Sequence, residues 1–158
     1  SGIVLTAKNE LAAAKLAGKI KKDYYAVVCG ETAGKGTIDA PIRRLGDSII
    51  KRGVFEDGDS AITHYESIKT NGKYTLLKIN LETGRTHQIR VHLSYVGHPI
   101  AGDEVYGPKK PVKGLCGQCL HAKHIGFVHP RTGQWLEFES DLPEYFTSFL
   151  NKLENHGI

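Results

Sequence analysis

The sequence predicts an α+β domain around a largely antiparallel sheet, and three features carry that expectation. Two runs of alternating apolar and polar residues flank an Asn71-Gly72 pair, segments of helical period stand apart from them, and helices do not alternate regularly with strands as a parallel sheet requires. With 158 residues, 40% of them hydrophobic, the chain can bury one core. It is read as one domain over residues 1–158, with no internal repeat, low-complexity tract or linker.

Taken in order, Ile3 to Ala7 is an apolar run of strand length, and Asn9 offers a side-chain oxygen to cap a helix over Glu10 to Ala17 that stops at Gly18. Tyr24 to Cys29 is aromatic and β-branched, which suits a buried strand, and a glycine-rich loop begins at Gly30. Ala61 to Lys69 and Lys73 to Leu81 read as hairpin strands around Asn71-Gly72. In the second, Thr75, Leu77, Ile79 and Leu81 share a buried face, while Lys78 and Asn80 point the other way. Beyond Arg85 the period changes: Ile89, Leu93 and Val96 recur at helical spacing up to Gly97, with His87, Arg90 and Ser94 on the opposite face. A loop rich in Gly, Pro and Lys, residues 107–114, leads to a strand near Leu120. Pro130-Arg131-Thr132-Gly133 then turns between strands at 125–128 and 135–138. Asp141 and Pro143 open a last helix striped by Tyr145, Phe146, Phe149, Leu150 and Leu153.

Net charge is +4, and it is unevenly spread: residues 1–53 carry ten Lys/Arg against five Asp/Glu, residues 131–158 two against five. A basic first third is compatible with a polyanionic partner without selecting one. Three cysteines make no even disulfide framework, so a reducing compartment, the cytoplasm, is expected. No stretch approaches the roughly 20 apolar residues that span a bilayer.

Several motifs weaken on inspection. Gly30 to Thr37 places three residues, not four, between its first Gly and the Gly34-Lys35 pair, and Gly36 stands where a phosphate-binding loop needs Ser or Thr. Cys116, Cys119, His121 and His124 offer soft ligands, but the second Cys and first His are too close for a usual zinc finger, and a strand would throw neighbours to opposite faces. The same dithiol does not open a helix, where a redox thiolate would be stabilised. Nothing in the spacing selects a hydrolytic triad. There remains Gly84-Arg85-Thr86-His87-Gln88-Ile89-Arg90-Val91-His92-Leu93, continued by Gly97-His98-Pro99-Ile100-Ala101-Gly102-Asp103-Glu104-Val105-Tyr106-Gly107. Its cluster of donors at a helix start suits a phosphate or carboxylate, and equally a surface helix with solvated charges.

That segment closely resembles the signature of RluA-type RNA pseudouridine synthases, enzymes that modify ribosomal and transfer RNA. Lys22 to Gly30 is similar to the family's tyrosine-bearing strand, Leu120-His121-Ala122 and His129 to Gly133 to its late strands, and Phe138 to Phe146 to its closing segment. Ser1 to Asn9 is similar to the stretch directly after the family's His-Arg-Leu-Asp-x-x-Thr-Ser-Gly motif. The resemblance covers nearly the whole chain. It implies the pseudouridine synthase fold, lacking the part ahead of that point, and a catalytic aspartate standing four positions before Ser1.

The implied reaction detaches uracil from ribose, rotates it and rejoins it through carbon 5, using a carboxylate near the anomeric carbon and no metal or cofactor. Arg90 would pair with the missing aspartate and hold it ionised. Tyr24 would stack on the target base and assist removal of the carbon 5 proton. Arg85, His87 and Gln88 would shape the pocket or touch the RNA backbone, Leu120 would wall the base, and Lys22, Arg43 and Arg44 would contact phosphates. The expectation is an RNA-directed isomerase whose present chain is inactive alone. The alternative is a non-catalytic RNA-binding module on the same scaffold.

Overall fold

The structure, a computed structural model, describes residues 1–155. Asn9 caps helix α1 (Glu10–Leu16), its Oδ1 accepting from Ala12 N at 2.9 Å. Strand β1 (Lys21–Cys29) comes next, then β2 (Lys35–Asp39) and a small separate hairpin of β3 (Ile42–Arg44) and β4 (Arg52–Val54). β5 (Ile62–Thr70) and β6 (Tyr74–Leu81) flank the expected turn. There Gly72 adopts φ 83°, and Asn71 Oδ1 accepts from Lys73 N and Tyr74 N at 3.0 and 2.9 Å. Helix α2 (Gln88–Tyr95), β7 (Leu120–Val128), β8 (Trp135–Glu139) and α3 (Glu144–Asn155) complete the chain.

The main sheet runs β2-β5-β6-β1-β7-β8, with every neighbouring pair antiparallel. β1 lies inside it, Tyr24 standing opposite Ile79 of β6 and Ala122 of β7. Thr63 pairs with Leu81 and bonds His92 of α2, so α2 covers the face of β6 that carries Leu77 and Ile79. The same alternation puts Tyr24 on the α2 face. The other face receives α3, whose Phe149 meets the Tyr74 ring edge-on at 5.3 Å. Between these layers sits one large core that includes Val27, Val28, Leu77, Ile79, Leu93 and Phe146.

The α+β architecture is the one expected; four local readings change. Residues 3–7 form no strand, because β8 already occupies the edge of β7 from His124 onward. Only Gly2 bridges Ala122, and Ile3, Leu5 and Ala7 pack instead against Leu16, Ile125 and Phe127. The glycine-rich run ends in strand β2 rather than in loop, with Gly36 seated under the Tyr65 ring, where any Cβ would collide. The strands read near Leu120 and at 125–128 are one continuous strand. In α2, Val96 is exposed and the helix buries Val91 and His92 as well as Ile89 and Leu93. Among the described residues no helix is long and apolar enough to cross a membrane.

Candidate active site

Lys22, Tyr24 and Arg85 line one open cleft of about 560 Å³, together with Leu81, Glu82 and Thr83. Tyr24 reaches it by the strand alternation that puts it on the α2 face opposite Ile79; beside it the β1–β7 register shifts, the extra residue being Lys123 of β7. Burial pushes the Tyr24 phenol up from its ordinary value, so at neutral pH it is protonated, fit to stack and to donate.

Gly84 and Arg85 are shared with a second cleft of about 370 Å³, lined by Arg43, Arg44, Arg52 and Asp59. The two therefore meet at one turn. Its arginines come from the β3–β4 hairpin, where Arg44 stands directly across from Arg52. Arg43 is partly committed: its Nε donates to Asp57 Oδ1 at 2.7 Å and its guanidinium lies 3.8 Å from the Phe55 ring centre. Arg52 adds a buried Nε with no hydrogen-bond partner among the described residues.

The turn itself is built by Gln88. Its Oε1 accepts from Arg85 N at 3.0 Å and Thr83 Oγ1 at 2.7 Å, and its Nε2 donates to Ile62 O and Thr63 Oγ1, both at 3.0 Å. With every amide position used and only 2% of its surface exposed, Gln88 holds the turn at which the two clefts meet and has no polar atom left over for RNA. Arg85 is held in turn by Ser60 O, 2.8 Å from its Nε.

His87 enters α2 in the left-handed region, φ 58°, the one non-glycine residue with positive φ among those described. Its Nδ1 lies 2.9 Å from Tyr106 Oη, which also accepts from Arg52 N at 2.9 Å. Burial, then Arg90 and Arg52, lower its pKa, so at neutral pH it is an uncharged spacer rather than a phosphate-binding cation.

Arg90 projects from the next turn of α2 and is clamped. Nε and Nη2 donate to the two carboxylate oxygens of Asp103 at 2.7 and 2.9 Å, and Asp103 Oδ1 also accepts from Val105 N and Tyr106 N. The Arg90 side chain is 13% exposed and that of Asp103 0%. Burial pushes the Asp103 carboxyl up, but Arg90 and the two N–H donors outweigh it and hold it below the usual range. Asp103 is thus a partner of Arg90 that sequence reasoning missed, although it lies inside the same motif. The pair leaves Nη1 as the guanidinium nitrogen not engaged by Asp103.

Leu120, the first residue of β7, packs on the main core opposite Ala26, two positions from the Tyr24 pairing. Cys119 is fully buried, its thiol pushed up to about 12 by that burial, and Cys116 is exposed. Among the described residues no three His, Cys, Asp or Glu side chains gather to hold a metal ion.

Residues 1–95 match the family described as RNA pseudouridylate synthase. An uncharacterized RNA pseudouridine synthase of Chloroflexus aurantiacus is 44% identical, covering 99% of this chain and 51% of that relative. The uncharacterized RNA pseudouridine synthase YjbO of Bacillus subtilis is 45% identical over 99% of this chain and 56% of its own length. A ribosomal large subunit pseudouridine synthase D of Zymomonas mobilis is 37% identical over 91% and 50%. The chain thus spans about half the length of the curated relatives it matches. Human RNA pseudouridylate synthase domain containing 1 shares the fold, with a TM-score of 0.69 at 22% identity over 94% of this chain and 73% of that one. From a family match over more than half its residues, and from relatives of the same description along nearly all of them, the chain belongs to the RNA pseudouridylate synthase family.

Proposed function

We propose that the protein converts uridine to pseudouridine in structured RNA, and that this chain supplies the aromatic and cationic side of the active site. One observation carries the reading: Lys22 and Tyr24 of β1 and Arg85, distant from them in sequence, line a single cleft that opens onto an arginine-lined basin. Such a cleft can take a base turned out of its stack while cations grip the flanking phosphates.

In the reaction the glycosidic bond from ribose C1′ to uracil N1 breaks, the base turns, C1′ bonds to C5, C5 gives its proton to a general base, and N1 takes up a proton, so the product is an isomer of the substrate. Tyr24, held as the phenol, stacks on the base. Leu120 walls it. Arg90, held by Asp103 at Nε and Nη2, pairs through Nη1 in this reading with the carboxylate that the family resemblance places ahead of Ser1. Supporting that placement, Ser1 O accepts from Ala122 N and Ile3 N donates to Ala122 O, at 3.0 and 3.1 Å. The chain at Ser1 therefore runs beside β7, whose other neighbour is the strand of Tyr24. Arg44, Arg43, Lys22 and Arg85 contact RNA phosphates in this reading. RNA is the partner, and the three free thiols fit a cytoplasmic setting.

The test is tritium release from unmodified large-subunit ribosomal RNA labelled at uracil carbon 5. It compares this chain with the full-length protein carrying the expected aspartate. Release from the longer protein alone is the expected result. Release from neither, with RNA binding retained, would replace the isomerase by a non-catalytic RNA-binding module.

A further inference from the structure

The hairpin of β3 and β4 lies outside the main sheet, so its position over the cleft has to be set by other contacts. One of these is a buried line of hydrogen bonds. Arg85 N–H donates to Gln88 Oε1, Gln88 Nε2 donates to Thr63 Oγ1, and Thr63 Oγ1 lies 2.8 Å from His92 Nδ1. His92 Nε2 in turn lies 2.8 Å from Ala40 O. A carbonyl only accepts, so Nε2 carries the hydrogen, Nδ1 accepts from the Thr63 hydroxyl, and one neutral tautomer satisfies the whole line. Ala40 stands two residues before β3, where the chain leaves β2, and its own N–H is taken by Ala61 O at 3.1 Å. The next turn of packing, Val91 against Ile42 and Ala61, presses on the same root.

The line therefore begins at the Arg85 turn and ends at the base of the arginine hairpin. His92 is 0% exposed and Thr63 is 0% exposed, so neither can meet RNA. Resting on the RNA-directed reading above, we propose that His92 is a positioning residue for substrate binding: through Ala40 it fixes the arginine hairpin relative to the Arg85 turn, so that both sets of cations meet one RNA backbone. A core histidine of this kind acts on affinity through another element's charges.

The experiment measures how tightly the full-length protein binds a transcribed fragment of large-subunit ribosomal RNA across a salt series, for H92N, H92Q and Arg44→Ala, alone and combined. An Asn amide reaches Thr63 but not Ala40, whereas the amide nitrogen of Gln takes the place of Nε2. H92N is expected to weaken binding about tenfold and to lower the slope of log affinity against log salt by roughly 1 to 2, with H92Q within about twofold of the unsubstituted protein. In the Arg44→Ala background H92N should add little. Equal losses in H92N and H92Q, or a loss that adds in full to Arg44→Ala, overturn the proposal, because a general loosening of the core would produce both. Should H92N not fold, His92→Leu fills the site with no atom able to donate to Ala40 O, and unchanged affinity in that folded variant overturns the proposal as well. An unsubstituted protein that binds RNA without releasing tritium removes the isomerase reading and leaves this test in force; one that binds no RNA overturns both.

Discussion

Arg90 and Arg44 belong to elements that touch through Tyr106, yet the fold holds them in opposite ways. Arg90 is nearly buried and gripped at two nitrogens by a fully buried carboxylate, with the Tyr106 ring 5.0 Å from its guanidinium. Arg44 is exposed and faces Arg52 across the hairpin, an arrangement of like charges that costs stability. A cation fixed to within a hydrogen bond can orient one reacting group, whereas cations left free on a hairpin can follow a backbone. The first is built for geometry and the second for attraction, and substitutions can load either side of that contrast.

Asp103→Asn should have the largest effect. It leaves the Arg90 guanidinium buried without a counter-charge, at a cost of about 3–5 kcal/mol, read as a lowered midpoint in urea unfolding. The pH dependence has a definite sign. Because the folded-state pKa of Asp103 is depressed, its contribution is present above the unfolded value of about 3.9 and is lost as pH falls through the lower folded value. The acid limb of the stability profile should flatten in the variant. An unchanged limb would mean that the clamp is not what holds Arg90.

Tyr106→Phe comes next, since it keeps the ring beside Arg90 but removes the oxygen that takes Arg52 N–H and meets His87 Nδ1. Leaving a half-buried N–H without its acceptor should cost about 1–2 kcal/mol in thermal unfolding. If clamp and hairpin are joined through this oxygen, RNA affinity falls too; loss of stability alone would show two independent regions.

A smaller effect is expected from His87 and His92, both lowered in pKa by burial. Their contribution is complete above the unfolded imidazole value of about 6.5 and declines as pH falls toward the folded values. Denaturant unfolding should therefore give lower stability near about pH 5.5 than near about pH 7.5, and H92Q should narrow that gap.

What could be read in the sequence divides along the same line. Tyr24 and Arg85 stand out in the sequence because each sits in a long motif, and the structure brings them to one cleft; the Asn71-Gly72 hairpin is legible because its turn chemistry is local. The arginine hairpin was not, since three residues per strand are too few to display any period. His92 escaped because its partners, Thr63 and Ala40, are 29 and 52 residues away, and a polar residue beside an apolar stripe looks like surface until those contacts exist. Asp103 stood in plain view, but only the return of the loop after α2 brings it to Arg90. Gln88 stands among donors in the motif, and only its burial reserves it for the turn.

Arg44→Ala should change stability least, by no more than about 0.5 kcal/mol, and the direction favours a gain because a like-charge pair across the strands is relieved. Its signature lies elsewhere. A phosphate contact contributes to the salt dependence of binding, so the variant should lower the slope of log affinity against log salt by about 1 while weakening binding to all RNA sequences alike. Arg90 makes the opposite forecast: clamped to Asp103 and 13% exposed, it has little charge left for a backbone phosphate. Substituting it should therefore reduce turnover far more than it shifts the salt slope. Equal slopes for the two arginine variants would erase the contrast, since a fixed cation and a free one would then be serving the same phosphate.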